Sequence, residues 1–198
     1  MAKNMQPVLK RCRTLGVSPA AMGYSKSSNK NPGGQRRAKK SEYATQLTEK
    51  QKVKFVYGVQ EKQFRNYYEK ASRAEGNTGE VLLTYCERRL DNVVYRLGFA
   101  NTRRQARQMV NHGHFTVNGS RVDIPSYLIK TGDVVSVCEK SVSNSFFKKL
   151  KEDDAFVAAP KWLDRDKNTL TGKVIAMPTK ADIDFEIAEH LIVELYSK

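Results

Sequence analysis

The chain has 198 residues, with 35 Lys and Arg against 21 Asp and Glu, which gives a formal net charge of +14. This length allows one or two domains with a real core, because 39% of the residues are hydrophobic. The positive charge indicates a polyanionic partner and disfavours ordinary small-molecule metabolism. No apolar run approaches a membrane span and the opening residues lack the apolar core of a signal peptide, so we expect a cytoplasmic protein.

The positive charge is concentrated at the start of the chain. Residues 1–54 hold 13 basic and 2 acidic residues, whereas residues 141–198 hold 9 and 10. Residues 23–40 combine Gly, Ser, Asn and Pro with six basic residues and no acid. Such a segment cannot bury enough surface to offset the entropy of ordering it. We therefore predict a basic arm over residues 1–40 that orders against phosphates, with a solvated linker as the alternative.

Helical signals begin at Ser41. This residue can cap a helix that runs to Tyr57 and is stopped by Gly58 in a left-handed conformation. A second helix over residues 60–73 carries a buried aromatic stripe, with its basic side chains on the other side. Thr78 is predicted to cap a third helical stretch, which reaches residue 97 as one long helix or as two joined end to end.

The next helix has the strongest N-terminal signal in the chain. Thr102 and Gln105 have the spacing of a capping box, which predicts a helix that begins just before two arginines. A helical wheel separates an apolar arc from a polar one that comprises Arg103, Arg104, Arg107 and Asn111. We expect the apolar side to pack and the cationic side to face phosphates, for which a helix N-terminus is also suited.

Strand signals follow. Asn118-Gly119 between alternating apolar residues predicts a hairpin, and residues 134–137 and 171–178 have strand composition. Residues 145–153 form an amphipathic helical pattern, and Trp162 is expected in the core. Residues 179–198 combine an acidic helical turn with the strand-like sequence LIVEL. Together these elements predict an α+β fold: a mainly helical first domain and a helix-helix-hairpin module with a mostly antiparallel sheet.

Several sequence motifs resemble one protein family. RLDNVVYRLGFA from Arg89, followed by RRQAR, HGH, VNG and RVDIPSY, resembles the RNA-binding module of the small-subunit ribosomal protein four family. YGVQEKQFRNYYEKA from Tyr57 and LIVELYSK from Leu191 resemble the bacterial form of that family. The resemblance implies a helical domain over residues 41–87 that is completed by residues 179–198. It also implies an RNA-binding module with a C-terminal extension over residues 88–178.

The resemblance further implies a structural, non-enzymatic protein of the small ribosomal subunit. It implies direct binding to small-subunit (16S) ribosomal RNA at a multi-helix junction of the 5′ domain, early in subunit assembly. Family members lie near ribosomal proteins three and five, beside the mRNA entrance, where they influence decoding accuracy. We accordingly expect a ribosome-bound protein without membrane or DNA partners.

The resemblance also implies which residues contact RNA. Carried over position by position, they are Arg36, Arg37, Lys39, Gln63, Arg65, Asn66, Arg103, Arg104, Arg107, His112, His114, Asn118 and Arg121. Such a set recognises the shape of a folded RNA through phosphates and 2′-hydroxyls, without a base code.

Many family members carry a zinc site of four cysteines, which this chain does not match. Leu9 stands at the first ligand position, Cys12 is alone there, and a closed structural zinc site needs four ligands. We predict no cofactor and interpret Cys12 as an exposed thiol whose basic surroundings lower its pKa. A metal pair of His112 and His114 is disfavoured because Gly113 breaks the helix between them.

Two other functions are compatible with parts of the sequence. Arg89-Leu90-Asp91 resembles the sequence around the catalytic aspartate of pseudouridine synthases, which suggests an RNA-modifying enzyme or a stress factor that uses the same module. Asp91 lies within a helical pattern, however, and the chain lacks room for a catalytic domain. A basic membrane-surface or DNA-binding protein is the remaining alternative.

Overall fold

The computed structural model describes residues 7–26, 41–152, 159–166 and 169–197. In chain order its elements are α1 (Val8–Leu15), a 3₁₀ helix (Pro19–Met22), α2 (Glu42–Tyr57), α3 (Glu61–Ala71), α4 (Thr78–Glu87), α5 (Leu90–Arg96), α6 (Arg103–Asn111), β1 (Phe115–Val117), β2 (Ser120–Arg121), β3 (Val134–Val137), α7 (Glu139–Val142), α8 (Ser145–Glu152), β4 (Leu163–Asp166), β5 (Thr171–Val174), a 3₁₀ helix (Lys180–Asp182) and α9 (Glu189–Ser197). The predicted α+β class is confirmed. The chain divides into two compact units, residues 1–82 with 183–198, and residues 83–182.

The first unit includes a folded N-terminal segment. One face of α1 buries Cys12 and Leu15, which join Met22 in a cluster with Phe55 and Val56 of α2. Gly16 ends α1 at φ 68°, in the left-handed conformation that glycine adopts without strain. Residues 7–26 are therefore part of a packed core, which differs from the basic arm expected there. Residues 27–40 of that arm lie outside the described residues.

The helix α2 has both predicted ends. The hydroxyl of Ser41 accepts a hydrogen bond from the N–H of Ala44 at 3.2 Å, and Gly58 has φ 63° after the last turn. The predicted aromatic stripe of α3 is buried through Phe64 and Tyr67. The third helix is capped one residue earlier than predicted, because Asn77 Oδ1, and not Thr78, accepts from the N–H of Gly79 at 3.0 Å. Of the two arrangements left open there, the chain forms two helices, α4 and α5.

The end of the chain is helical. The strand-like sequence LIVEL, whose secondary structure the pattern left open, lies in α9. Ile192 is fully buried, and Glu194 accepts a hydrogen bond from Gln46 of α2 at 3.0 Å. The stretch is rich in β-branched residues, which favour strands, but packing against α2 overrides that local preference.

The second unit is built around an antiparallel sheet in the order β2-β1-β3-β5-β4. The predicted hairpin turn is confirmed: Asn118 and Gly119 both have positive φ, 50° and 81°, as a type I′ turn requires. The sheet and helices bury one core, in which Trp162 is 2% exposed, as predicted. A side chain at Gly172 of β5 would place its Cβ 2.4 Å from Leu97, so this strand approaches α5 closely.

Candidate nucleic-acid interface

The N-terminus of α6 is held by the predicted capping pair. Thr102 Oγ1 accepts from the N–H of Gln105 at 3.2 Å, and Gln105 Oε1 accepts from the N–H of Asn101 at 2.9 Å. The glutamine thus reaches the residue before the cap, one position earlier than in a standard capping box. The first bond satisfies one of the backbone donors that a helix start leaves without partners, and the second satisfies the N–H just before the cap. Together they fix the point where the arginines of α6 begin.

Arg103 does not lie on the exposed side of α6, and its predicted orientation is wrong. The side chain is buried, and its Nε donates to Asn92 Oδ1 at 2.8 Å. Its guanidinium carbon lies 4.3 Å from the centroid of the Tyr95 ring, a cation–π contact. The helical wheel predicts exposure for a charged residue. In the structure Arg103 is buried because α5 provides it with a polar partner, Asn92, and an aromatic partner, Tyr95.

The partner of Arg103 belongs to a buried polar network. Asn92 donates through Nδ2 to Glu87 Oε2 at 2.6 Å. Arg96 donates to the same carboxylate through Nε at 3.1 Å and through Nη2 at 2.8 Å. All four side chains are buried. This chain of hydrogen bonds connects α4, α5 and α6 within the second unit, and Arg96 Nη2 also donates to the carbonyl of Asp182 at 3.2 Å.

A second buried group surrounds Asp91. Arg89 donates to both of its carboxylate oxygens, at 3.0 and 2.8 Å, and Arg107 Nε lies 3.2 Å from Oδ2. A carboxylate that is 4% exposed and held by two guanidinium groups is a structural ion pair. This arrangement argues against Asp91 as a catalytic nucleophile of a pseudouridine synthase type. It also makes Arg107 half-buried, so that Arg104 is the exposed arginine among the three predicted on α6.

Three of the predicted residues meet in a groove beside the hairpin. His112, His114 and Arg121 line this hairpin groove, which has a volume of about 710 Å³ and opens between the end of α6, the hairpin and the start of α7. The two imidazole ring centroids are 6.1 Å apart, and His114 Nδ1 is 2.9 Å from Ser141 Oγ. Burial, together with the charges of His112 and Arg121, lowers the pKa of His114 below its usual value.

Gly113 is what allows Arg121 to enter this groove. A Cβ at position 113 would lie 2.2 Å from the Arg121 guanidinium, and the backbone there has φ 70°. Arg121 Nη2 donates to the carbonyl of His112 at 3.2 Å, across the glycine. Any other residue at position 113 would displace the guanidinium and strain the turn, so the HGH sequence is an arginine-binding turn with a histidine on each side.

Asn118 is occupied by the fold. Its Nδ2 donates to Asp133 Oδ1 at 2.9 Å, and its Oδ1 accepts from the N–H of Val134 at 2.9 Å. The side chain thus joins the hairpin turn to the start of β3. These two bonds support a structural role for a residue that the resemblance placed in the RNA-binding set.

The remaining predicted residues belong to the first unit. Arg65 and Asn66 are exposed on α3, Gln63 is half-buried, and Arg65 Nε lies 3.4 Å from Glu69. Arg36, Arg37 and Lys39 lie outside the described residues. The described chain therefore brings His112, His114 and Arg121 into one groove, with Arg104 on the helix that leads to it.

Cys12 has an environment opposite to the predicted one. It is 1% exposed, and burial raises the pKa of its thiol despite a hydrogen bond to the backbone that lowers it. The described segments hold no group of three or more His, Cys, Asp or Glu side chains placed to bind a metal. No helix in those segments is long and apolar enough to cross a membrane.

Sequence reasoning missed the other side of the hairpin groove. Thr116, Ser136, Lys140 and Ser141 also line it, and Thr116 Oγ1 is 2.6 Å from Ser136 Oγ. These residues come together because β1 pairs with β3. A basic residue at position 140 was visible in the sequence, but its proximity to His114 depends on the pairing of β1 with β3, which brings Phe115 opposite Val137.

Comparison with known proteins identifies both parts of the chain. Residues 88–135 match the S4 domain, and residues 3–87 match the Ribosomal protein S4/S9 N-terminal domain. Small ribosomal subunit protein uS4 of Fusobacterium nucleatum is 55% identical over 198 residues, which is 100% of both chains. The protein of the same name from Lachnospira eligens is 52% identical over 198 residues, which is 100% of both chains. That from Clostridioides difficile is 58% identical over 172 residues, which is 86% of this chain and 83% of the other.

Proposed function

The chain belongs to the family of small ribosomal subunit protein uS4, and on that premise we propose that it is a structural component of the small subunit that binds ribosomal RNA directly. The observation that carries this proposal is the set of basic residues Arg104, His112, His114 and Arg121, which all lie in the part of the chain that matches the S4 domain. The last three of them line the hairpin groove. The relatives are named as ribosomal proteins, which supports a non-enzymatic role. The buried ion pairs of Asp91 support the same conclusion.

The finer part of the proposal concerns the place of binding. The protein binds a multi-helix junction in the 5′ domain of small-subunit rRNA and nucleates assembly there. In the finished subunit it lies near ribosomal proteins three and five beside the mRNA entrance and influences decoding accuracy. The cationic surface supports the RNA contact, since exposed arginines neutralise phosphates and release counterions. Membership of the family supports the proposed protein partners.

Charge reversal tests the RNA contact. Arg104→Glu combined with Arg121→Glu should lower the affinity for a 5′-domain transcript at least tenfold at fixed salt. The plot of log affinity against log salt should become shallower by roughly 1.5, because each lost phosphate contact removes about 0.7–0.9 from the slope. Filter binding over a series of salt concentrations measures both quantities. Arg103 is excluded from the variant because its burial would confuse loss of binding with loss of the fold.

Lys173→Glu is the matched control, since it reverses an exposed charge away from the hairpin. Lys173 lies on β5, and β3 lies between β5 and the hairpin strand β1 in the sheet. It should leave the salt slope unchanged. Equal affinity of the double variant and the unaltered protein would contradict the assignment of this surface. Stronger binding to duplex DNA or anionic vesicles than to the transcript, at one salt concentration, would contradict the proposed function itself.

A further inference from the structure

The hairpin groove has a cationic rim. His112, Arg121 and Lys140 are exposed around its opening, where one acidic residue, Glu139, also lies. The guanidinium of Arg121 is held in position by its contact over Gly113 and its bond to the His112 carbonyl. A fixed guanidinium suits phosphate oxygens because little side-chain entropy is lost when the anion binds.

The interior of the groove contains several hydroxyl groups and a histidine. The hydroxyls of Thr116, Ser136 and Ser141 line it, together with the Cys138 thiol, and His114 is half-buried among them. The N–H of Cys138 donates to the His114 carbonyl at 2.9 Å, and the His114 ring meets the Phe147 ring edge-on at 6.1 Å between centroids. Backbone, hydroxyl and aromatic contacts thus fix the imidazole in place.

The charges that face His114 oppose its protonation in the free protein. His112 on the end of α6, Arg121 on β2 and Lys140 on α7 are the basic groups of the groove, and Glu139 on α7 is the acidic one. Burial of the imidazole and the charges of His112 and Arg121 lower the pKa of His114. An anion in the groove would reverse this balance, because it would compensate both the lost hydration and the neighbouring positive charge.

We propose that the hairpin groove holds a backbone phosphate of the bound RNA and that His114 gains a proton when the phosphate enters. This inference rests on the proposed RNA-binding function and adds proton uptake to it. A phosphodiester keeps its charge throughout the range in which histidine titrates, so the proton is taken from solvent by the protein. Binding is therefore linked to pH, and RNA affinity rises as the pH falls.

The size of the effect follows from linkage. Affinity increases about tenfold for each unit by which the bound phosphate raises the imidazole pKa. We expect a three- to tenfold gain in affinity for a transcript of the 5′ domain of small-subunit rRNA between pH 7.5 and pH 5.5, at constant salt. Of the three histidines in the chain, His190 lies exposed on α9 in the other unit and therefore serves as the control.

The experiment compares the pH dependence of affinity for the full chain and two variants. His114→Gln should flatten the profile between pH 7.5 and pH 5.5, whereas His190→Gln should keep the profile of the unaltered protein. Any titration of the transcript affects all three proteins equally. A profile that keeps its slope in His114→Gln while binding remains tight would overturn the inference and leave the proposed function standing. Absence of binding to the transcript in all three would refute the proposed function and the inference with it.

Calorimetry provides a test that does not depend on the fold of a variant. The binding enthalpy of the unaltered protein, measured at pH 6.5 in two buffers with different ionisation enthalpies, gives the number of protons taken up. Uptake of a substantial fraction of one proton supports the inference. Zero uptake, or release of protons, at this pH would overturn it.

Discussion

At the residue scale, neighbouring arginines have different roles because their surroundings differ. Arg103 is buried against Asn92 and Tyr95, whereas Arg104, the next residue along α6, is exposed. A buried guanidinium is tolerated only where hydrogen bonds and opposite charge replace its lost hydration. The carboxylate of Glu87 supplies that charge to the network through Arg96 and Asn92. Glu87 is thus the residue on which the network depends.

Glu87→Gln should lower the free energy of unfolding of the second unit by about 3 kcal/mol, because Arg96 would keep a buried charge without its carboxylate. Urea unfolding followed by Trp162 fluorescence measures this, since the indole is buried in that unit. Glu69→Gln, which removes the exposed partner of Arg65, should change the free energy by less than about 0.5 kcal/mol. A loss below about 1 kcal/mol in Glu87→Gln would show that the network is not required for stability.

At the element scale, α9 is held to the first unit by polar and aromatic contacts. Tyr196 stacks on Tyr68 with ring centroids 4.7 Å apart, and its hydroxyl donates to Glu61 Oε1 at 2.7 Å. Burial alone would raise the pKa of Glu61, but hydrogen bonds from Lys54, Tyr196 and Lys50 together lower it to about 2. One carboxylate on α3 therefore joins α2 and α9.

This carboxylate makes the contribution of α9 depend on pH. The folded pKa of Glu61 lies below its ordinary value of 4.5, so its stabilising effect is complete above about pH 4.5 and is lost as the pH falls towards 2. At pH 6, Glu61→Gln should destabilise the protein by less than about 1 kcal/mol, because the side chain is half exposed. Urea unfolding followed by far-UV circular dichroism at pH 6 and pH 3 should show a smaller difference at pH 3.

Glu75→Gln serves as the comparison, since it alters an exposed carboxyl in the loop before α4. Its effect should be the same at both pH values. A destabilisation by Glu61→Gln that is equally large at pH 3 and pH 6 would contradict the role assigned to the ionised carboxylate.

At the scale of the whole molecule, the chain returns to its first unit after completing the second. Residues 183–198 belong with residues 1–82, and Glu194 and Ala188 hydrogen-bond to Gln46 and Glu49 of α2. The contacts are local in space but span about 140 residues of sequence. Closing them costs chain entropy, which the buried face of α9 offsets.

Deletion of residues 189–198 should therefore destabilise the first unit selectively. The midpoint of thermal unfolding, measured by far-UV circular dichroism, should fall by several degrees, because the buried Ile192 and the stacked Tyr196 are lost. The midpoint followed by Trp162 fluorescence should move much less. Equal shifts in both signals would mean that the two units unfold as one.

Features that depend on neighbouring residues could be predicted from the order of the amino acids. The cap of α2 at Ser41, its end at Gly58, the start of α6 at Thr102 and the turn at Asn118-Gly119 are fixed by hydrogen bonds or backbone angles within a few positions. The family was recognisable for a related reason, since its motifs are short contiguous runs.

Features that depend on contacts between distant residues could not be predicted in this way. LIVEL is helical because α2 buries its face, Cys12 is protected because α1 packs on α2, and Arg103 is buried because α5 supplies its partners. The hairpin groove exists because β1 pairs with β3 and brings Lys140 to His114. The burial of a side chain and its electrostatic environment depend on all of its neighbours in space. A local pattern of residue types therefore does not predict them.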